Sequence, residues 1–196
     1  MRSQRHLLSV INDILNFARL EAGYVEYRVT SVPVSELLAD LESLIRPQLV
    51  AKQLNFSCDP VESDLIVRAD KEKVRQVLLN LLANAVKFTL VGGRIRVDCH
   101  HDDARVYIRV TDTGIGIPTD RRGAIFEPFV QLHRTLAQPA EGTGLGLAIS
   151  RDLARGMGGE LSVESQPGEG STFTLALARA TVVEPSGAVR AAAGQD

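Results

Sequence analysis

Between residues 70 and 89 the apolar residues return at helical spacing: Val74, Val77, Leu78, Leu81, Leu82, Ala85 and Val86. A face that broad needs another layer to cover it, so the chain is expected to fold around this helix. Asp70 stands where an N-cap carboxylate is wanted. On the opposite side Gln76, Asn80, Asn84 and Lys87 follow one another three or four residues apart. Taken alone, this row also fits the wet face of a surface helix. Such faces usually carry Glu and Lys, however, and asparagine is a poor helix former. Two amides and an ammonium in one row suit a ligand. An amide oxygen is a hard donor for Mg²⁺, and an ammonium meets a phosphate.

The flanking segments read as strands and further helices. Residues 94–100 alternate, with Ile95, Val97 and Cys99 inward. Asp102-Asp103 makes a tight turn, and residues 106–110 alternate back to deliver Asp112 at a strand end. Upstream, residues 3–22 form a helix striped by Leu7, Leu8, Ile11, Ile14, Leu15 and Ala18, with Gly23 as its left-handed cap. Too short to be stable alone, it must pack on the following domain or on another chain. Residues 24–34 link it to an edge strand ending near Pro33. Ser35 is expected to cap a helix over 36–53, with Leu37, Leu38, Leu41, Leu44, Ile45 and Leu49 inward and Pro47 kinking or splitting it. Residues 54–58 and 65–69 are short strands around a turn at 60–64. Residues 119–142 are lid material, 145–157 a helix stopped by Gly158-Gly159, and 160–166 with 171–178 a hairpin through Pro167-Gly168. Residues 181–196 read as a disordered tail.

With 196 residues, 44% of them hydrophobic, the chain can bury one real core with an appendage. Lys and Arg number 22 against 24 Asp and Glu, a balance that points neither to nucleic acid nor to an anionic membrane. No apolar run is long enough to enter and cross a bilayer, and a cytoplasmic setting is expected. Cys58 and Cys99 lack CxxC spacing and read as small buried thiols. His100 and His101 are adjacent, so in a strand they point to opposite faces and cannot chelate together.

Three later stretches join the helix: Asp112-Thr-Gly-Ile-Gly-Ile-Pro118, Phe126-Glu-Pro-Phe129 and Gly142-Thr-Gly-Leu-Gly-Leu147. Each is weak alone, but all four in this order are specific. The chain resembles the catalytic ATP-binding domain of bacterial sensor histidine kinases, within the ATPase superfamily shared with gyrase B and the heat-shock chaperones. The resemblance runs from about residue 7 to about 180. It implies a Bergerat fold, an α/β two-layer sandwich of a mixed β-sheet and helices, over residues 25–180. Residues 1–24 are similar to the second helix of the family's dimerisation hairpin.

The resemblance also implies roles. Asp112 would accept the adenine amino group, with Thr172 helping to hold it through water. Gly114 and Gly116 would let the backbone approach the ring. Asn84 would bind Mg²⁺, Lys87 a phosphate, and Phe88 would lie against the nucleotide. Gly142, Thr143, Gly144, Leu145, Gly146 and Leu147 would form the lid hinge and phosphate cradle, as free N–H groups converging at a helix start can do. Gln131 and Arg134 fall within the lid, where either could reach the terminal phosphate or equally lie on the surface. In the hydrolytic relatives a glutamate stands four residues before the metal-binding asparagine. Here that position is Asn80, which cannot act as a base.

The expected function is therefore transfer of the γ-phosphoryl of Mg-ATP to a histidine on a helical hairpin, followed by a response regulator. The intact protein would be a homodimer through its N-terminal helix. No histidine followed by a carboxylate precedes the helix over residues 7–23, so the acceptor is expected on a hairpin helix that this chain does not contain, and His6 reads as a surface residue. The rival readings are a hydrolytic clamp, a serine kinase of the same superfamily, and a non-catalytic nucleotide-dependent interaction module.

Overall fold

The computed structural model describes residues 2–39, 41–62, 64–131 and 143–180, without the side chains of 2–7 and 9. The central helix, here α4, spans Lys71–Phe88. Its cap is Asp70, which accepts from the N–H groups of Glu72 at 3.0 Å and Lys73 at 3.2 Å. The second carboxylate oxygen takes the Arg28 N–H at 2.8 Å. All seven apolar residues of the expected face are buried.

In chain order the other helices are α1 (Arg2–Glu21), α2 (Val34–Leu38), α3 (Leu41–Ala51) and α5 (Gly146–Gly156). The strands are β1 (Thr30–Pro33), β2 (Asn55–Cys58), β3 (Ile66–Ala69), β4 (Arg94–His101), β5 (Arg105–Asp112), β6 (Glu160–Gln166) and β7 (Gly170–Ala178). The main sheet has five strands in the order β2-β4-β5-β7-β6. β2 and β4 run parallel, and every other pair is antiparallel. Ile95, Val97, Val106, Ile108, Val110, Phe173, Leu175 and Leu177 line the buried face. Period-two alternation therefore turns Arg96, Arg109, Thr111 and Thr172 to the other face. Asp98 also lies on that polar side, yet is buried and held by Arg109, whose Nε donates at 2.6 Å. This is the mixed-sheet α/β sandwich expected from the sequence.

The reading of residues 36–53 is corrected. The helix read over 36–53 is two helices, broken between Leu38 and Leu41, while Pro47 sits inside α3. Ser35 is not the cap. Pro33 holds that place without a side-chain bond, because the Val34 N–H already donates to the Leu65 carbonyl at 2.9 Å. Leu44 is exposed, since the buried stripe of α3 runs Leu41, Ile45, Leu49 at strict four-residue spacing. The two short strands expected around residues 60–64 are present as β2 and β3, but they do not pair with each other. β3 pairs with β1 as a separate ribbon, tied to the end of β7 by the Val67–Arg179 bridge. Asp59 prolongs β2 along β4, its N–H donating to the Val97 carbonyl at 2.9 Å, so the turn carries the chain from one sheet to another.

α1 ends as expected at Gly23, with φ 70°. The Gly23 N–H meets the Leu20 carbonyl and the Tyr24 N–H meets the Arg19 carbonyl, a Schellman closure. Phe17 and Leu20 pack on the core, whereas Leu8, Ile11, Ile14 and Leu15 are exposed. Both cysteines are free, but only Cys99 is half-buried, its thiol pushed up to about 12 chiefly by burial and then by Asp98. Cys58 is exposed because it lies at the free edge of the sheet. The expectations for Arg134, Gly142 and the tail fall outside the described residues.

Candidate functional site

α4 forms the spine of the site. Near its middle, Asn80 Nδ2 donates to the Ser150 hydroxyl at 2.9 Å. A Cβ on Gly146 would stand 2.4 Å from Asn80 Oδ1, so the glycine is what lets α5 start against this amide. One turn further on, Asn84 is half-buried. At the helix end Lys87 and Phe88 are both exposed, with Lys87 Nζ 4.9 Å from the Phe88 ring centroid. Gln76, the first of the polar row, lies apart, in a groove shared with Asn16, Leu20 and Lys73.

The Phe88 carbonyl joins α4 to the next part of the site by accepting the Ile115 N–H at 3.3 Å. Asp112, 5% exposed, accepts the Gly114 N–H at 2.8 Å. Burial raises its carboxyl above the usual range, against the pull of backbone N–H groups from Gly114 and Ser171. The glycines here answer to the protein's own backbone. A Cβ on Gly114 would meet the Phe88 carbonyl oxygen at 2.6 Å. Gly116 has φ +70° and lies so close to the β6–β7 turn that its Cβ would fall 1.9 Å from the Gln166 oxygen.

The register corrects one expected residue. Thr172 faces Thr111, with the hydroxyls 3.1 Å apart on the polar side of the sheet. Asp112 is paired with Ser171, so Ser171 and not Thr172 shares its face. The Ser171 hydroxyl is 2.9 Å from that of Ser165, which accepts the Ile117 N–H at 2.8 Å.

The third part is the start of α5. Thr143 donates its hydroxyl to Asp13 of α1 at 2.9 Å and accepts the Leu145 N–H at 3.2 Å. Gly144 has φ +74°, and its carbonyl accepts the Phe129 N–H at 3.1 Å. Leu145 is fully buried and Leu147 is packed on the core, so their side chains are structural and only their backbone can serve a ligand. Leu145 holds the N-cap place of α5 and gives no side-chain bond to its first turn. Phe126 is buried edge-on to Phe173, and Arg151 stands over its ring at 5.5 Å. Phe129 instead points out and meets Phe17 of α1 edge-on at 6.1 Å.

The structure thus brings Asn80, Asn84, Lys87 and Phe88 between the Asp112–Gly116 loop and the start of α5. Ser150, Ser165 and Ser171 were missed, since an isolated serine gives no local signal.

Comparison with known proteins gives the family. Residues 69–181 match the family described as histidine kinase-, DNA gyrase B-, and HSP90-like ATPase. The chain belongs to that family. It is similar to the circadian input-output histidine kinase CikA of Synechococcus elongatus, 36% identical over 93% of this chain and 24% of the relative. It is also similar to the aerobic respiration control sensor protein ArcB of Escherichia coli, 39% identical over 90% of this chain and 23% of the relative. Among solved structures, full-length ShkA in complex with AMPPNP superposes with a TM-score of 0.79 at 37% identity, over 94% of this chain and 38% of that one. The catalytic domain of histidine kinase ThkA gives 0.68 at 28% identity, covering 79% of this chain and 99% of that domain. The chain spans about a quarter of these two curated relatives. Among the described residues no helix is long and apolar enough to cross a membrane.

Proposed function

We propose that this chain is the nucleotide-binding catalytic core of a two-component sensor histidine kinase, working in the cytoplasm. The observation that carries the reading is Asp112, a buried carboxylate at a strand end, joined through Gly114 and the Phe88 carbonyl to a helix bearing two amides and a lysine. A carboxylate accepts hydrogen bonds and pairs with the adenine amino group. Ser171, on the same face, would support it through water. Phe88 would lie along the base, Lys87 would meet a phosphate, and the N–H groups of residues 143–146 would face the remaining phosphate oxygens.

Asn84 would give its amide oxygen to Mg²⁺. The donor set fits that ion. No cluster of three or more His, Cys, Asp or Glu stands among the described residues, and Mg²⁺ takes one or two protein ligands with phosphates and water for the rest. The ion would neutralise charge on the phosphates. The protein's own part is positioning. As a phosphorus–nitrogen bond forms to the acceptor imidazole, the phosphorus–oxygen bond to ADP breaks, and the ring proton passes to a carboxylate beside the acceptor. Asn80 supplies no base for water, which favours transfer over hydrolysis. The exposed stripe Leu8, Ile11, Ile14 and Leu15 suits pairing with a further helix, as in a kinase homodimer carrying the acceptor hairpin. A response regulator would then take the phosphoryl group.

The test has two arms. Calorimetry should show Mg-ATP binding and no comparable GTP binding, because guanine offers Asp112 a second acceptor. With γ-labelled ATP, acid-labile label should appear on an added hairpin bearing the acceptor histidine. Equal affinity for ATP and GTP would refute the base assignment, and hydrolysis with no labelled hairpin would favour the hydrolytic rival.

A further inference from the structure

The last turn of α4 ends on a cation from another helix. The Lys52 ammonium, one residue past α3, donates to the carbonyls of Lys87 at 2.7 Å, Val86 at 2.8 Å and Thr89 at 3.1 Å. An ammonium has three donors, and all three are used. The neighbouring carbonyls are also engaged. Ala85 receives the Thr89 N–H at 3.0 Å and its hydroxyl at 2.6 Å, and Phe88 receives the Ile115 N–H at 3.3 Å. Every carbonyl from 85 to 89 therefore has a partner, where a helix end usually turns to water.

The lysine is itself held in place. Its N–H donates to the Gln48 carbonyl at 3.2 Å, its carbonyl accepts the Gly92 N–H at 3.4 Å, and Gln53 reverses the chain behind it with φ 54°. Lys52 thus ties the end of α3 to the point where α4 hands over to β4. Two consequences meet there. A helix C-terminus carries partial negative charge, which would repel a phosphate near Lys87, and an ammonium on its carbonyls offsets that charge. The Phe88 carbonyl can receive Ile115 only while the last turn keeps its shape, so the cap also sets the Asp112–Gly116 loop.

We propose that Lys52 is a positioning residue of the nucleotide site, fixing the face of Asn84, Lys87 and Phe88 against the Asp112 loop without touching the ligand. This inference rests on the nucleotide-site reading above. The expectation is a residue whose loss disturbs phosphate-dependent binding and loop protection more than it disturbs the fold.

The experiment compares wild type, K52M and K52R. K52M keeps the aliphatic stem and removes charge and donors, and K52R returns a cation able to donate to carbonyls. Hydrogen exchange is read at the Ile115 and Thr89 amides, and calorimetry with Mg-ATP and with adenosine. In K52M the two amides should exchange about tenfold faster than in wild type, relative to β5 amides. Mg-ATP affinity should fall about tenfold, with adenosine less affected, as expected when phosphate-facing groups are misplaced. K52R should recover most of both effects. A K52M protein with lowered Tm but unchanged Ile115 exchange and unchanged Mg-ATP affinity would overturn the proposal. If K52M does not fold, K52Q is read in the same arms. If wild type binds no Mg-ATP, the nucleotide reading fails on its own. The exchange arm, which needs no ligand, then decides Lys52, and unchanged protection sinks it.

Discussion

Asn80 of α4 donates its amide hydrogen to the Ser150 hydroxyl of α5 across 2.9 Å. The position expected to stand in the ligand-facing row and to lack a hydrolytic base is therefore also a bolt between α4 and the helix that begins at the glycine loop. Asn80→Ala and Ser150→Ala should each cost about 1–2 kcal/mol, the value of a part-buried hydrogen bond with an orphaned partner. The double mutant should cost less than their sum. Urea denaturation of all four proteins measures the coupling, and strict additivity would mean that the contact carries no energy.

On the nucleotide-site reading proposed above, Asp112 sets ligand binding against stability. Its folded carboxyl titrates above the ordinary value because of burial, so its ionisation opposes folding. That contribution favours the fold below the unfolded pKa and is lost as pH rises through the raised one. Asp112→Asn keeps an oxygen for the Gly114 N–H and removes the charge. It should melt higher than wild type at neutral pH, and the gap should shrink as pH falls through the raised pKa. ATP affinity should drop about tenfold to a hundredfold. Melting curves between pH 4 and 7, beside ATP titrations, check both halves.

The hydroxyls of neighbouring strand residues should separate cleanly. Ser171→Ala should weaken ATP binding, since Ser171 shares the Asp112 face. Thr172→Val should leave it within about twofold while removing only the Thr111 contact on the far side. Calorimetric titration of the two variants decides, and the reverse order would restore Thr172 to the site.

Gly116 and Gly168 offer a matched pair. Both have positive φ, but a Cβ on Gly168 meets nothing within 4 Å, whereas on Gly116 it meets the Gln166 oxygen. Gly168→Ala should cost about 1 kcal/mol from backbone conformation alone. Gly116→Ala should cost more than about 3 kcal/mol, because backbone must move as well. Equal losses in denaturant titration would show that the β6–β7 turn yields freely.

Much of this architecture could be read before the coordinates. α4, β4 and β5 carry long unbroken periodicities, and Asp70 and Gly23 are local signals whose partners lie within a few residues. Legibility failed where partners are distant. Nothing near residues 55–69 shows that β2 lies parallel to β4 while β3 joins β1. The break after Leu38 has no proline beside it. The choice between Ser171 and Thr172 depends on a strand register set far away, and one residue of slip reverses the face. Asn80 was legible as polar, but its partner lies 70 residues on.

The position of β7 has a consequence for how the molecule is made. It follows β6 in the chain, yet it lies between β5 and β6, and Thr172 meets Thr111 across 61 residues. While a ribosome is still producing the intervening segment, β5 has one bare edge, with Val106, Ile108 and Val110 along its uncovered face. β6 then emerges with no neighbour at all. The sheet can close only when β7 inserts between them, a late step built on contacts distant in sequence. Until then the nascent chain presents a sticky strand edge, and chaperone demand should peak in that interval, after β5 has left the tunnel and before β7 has.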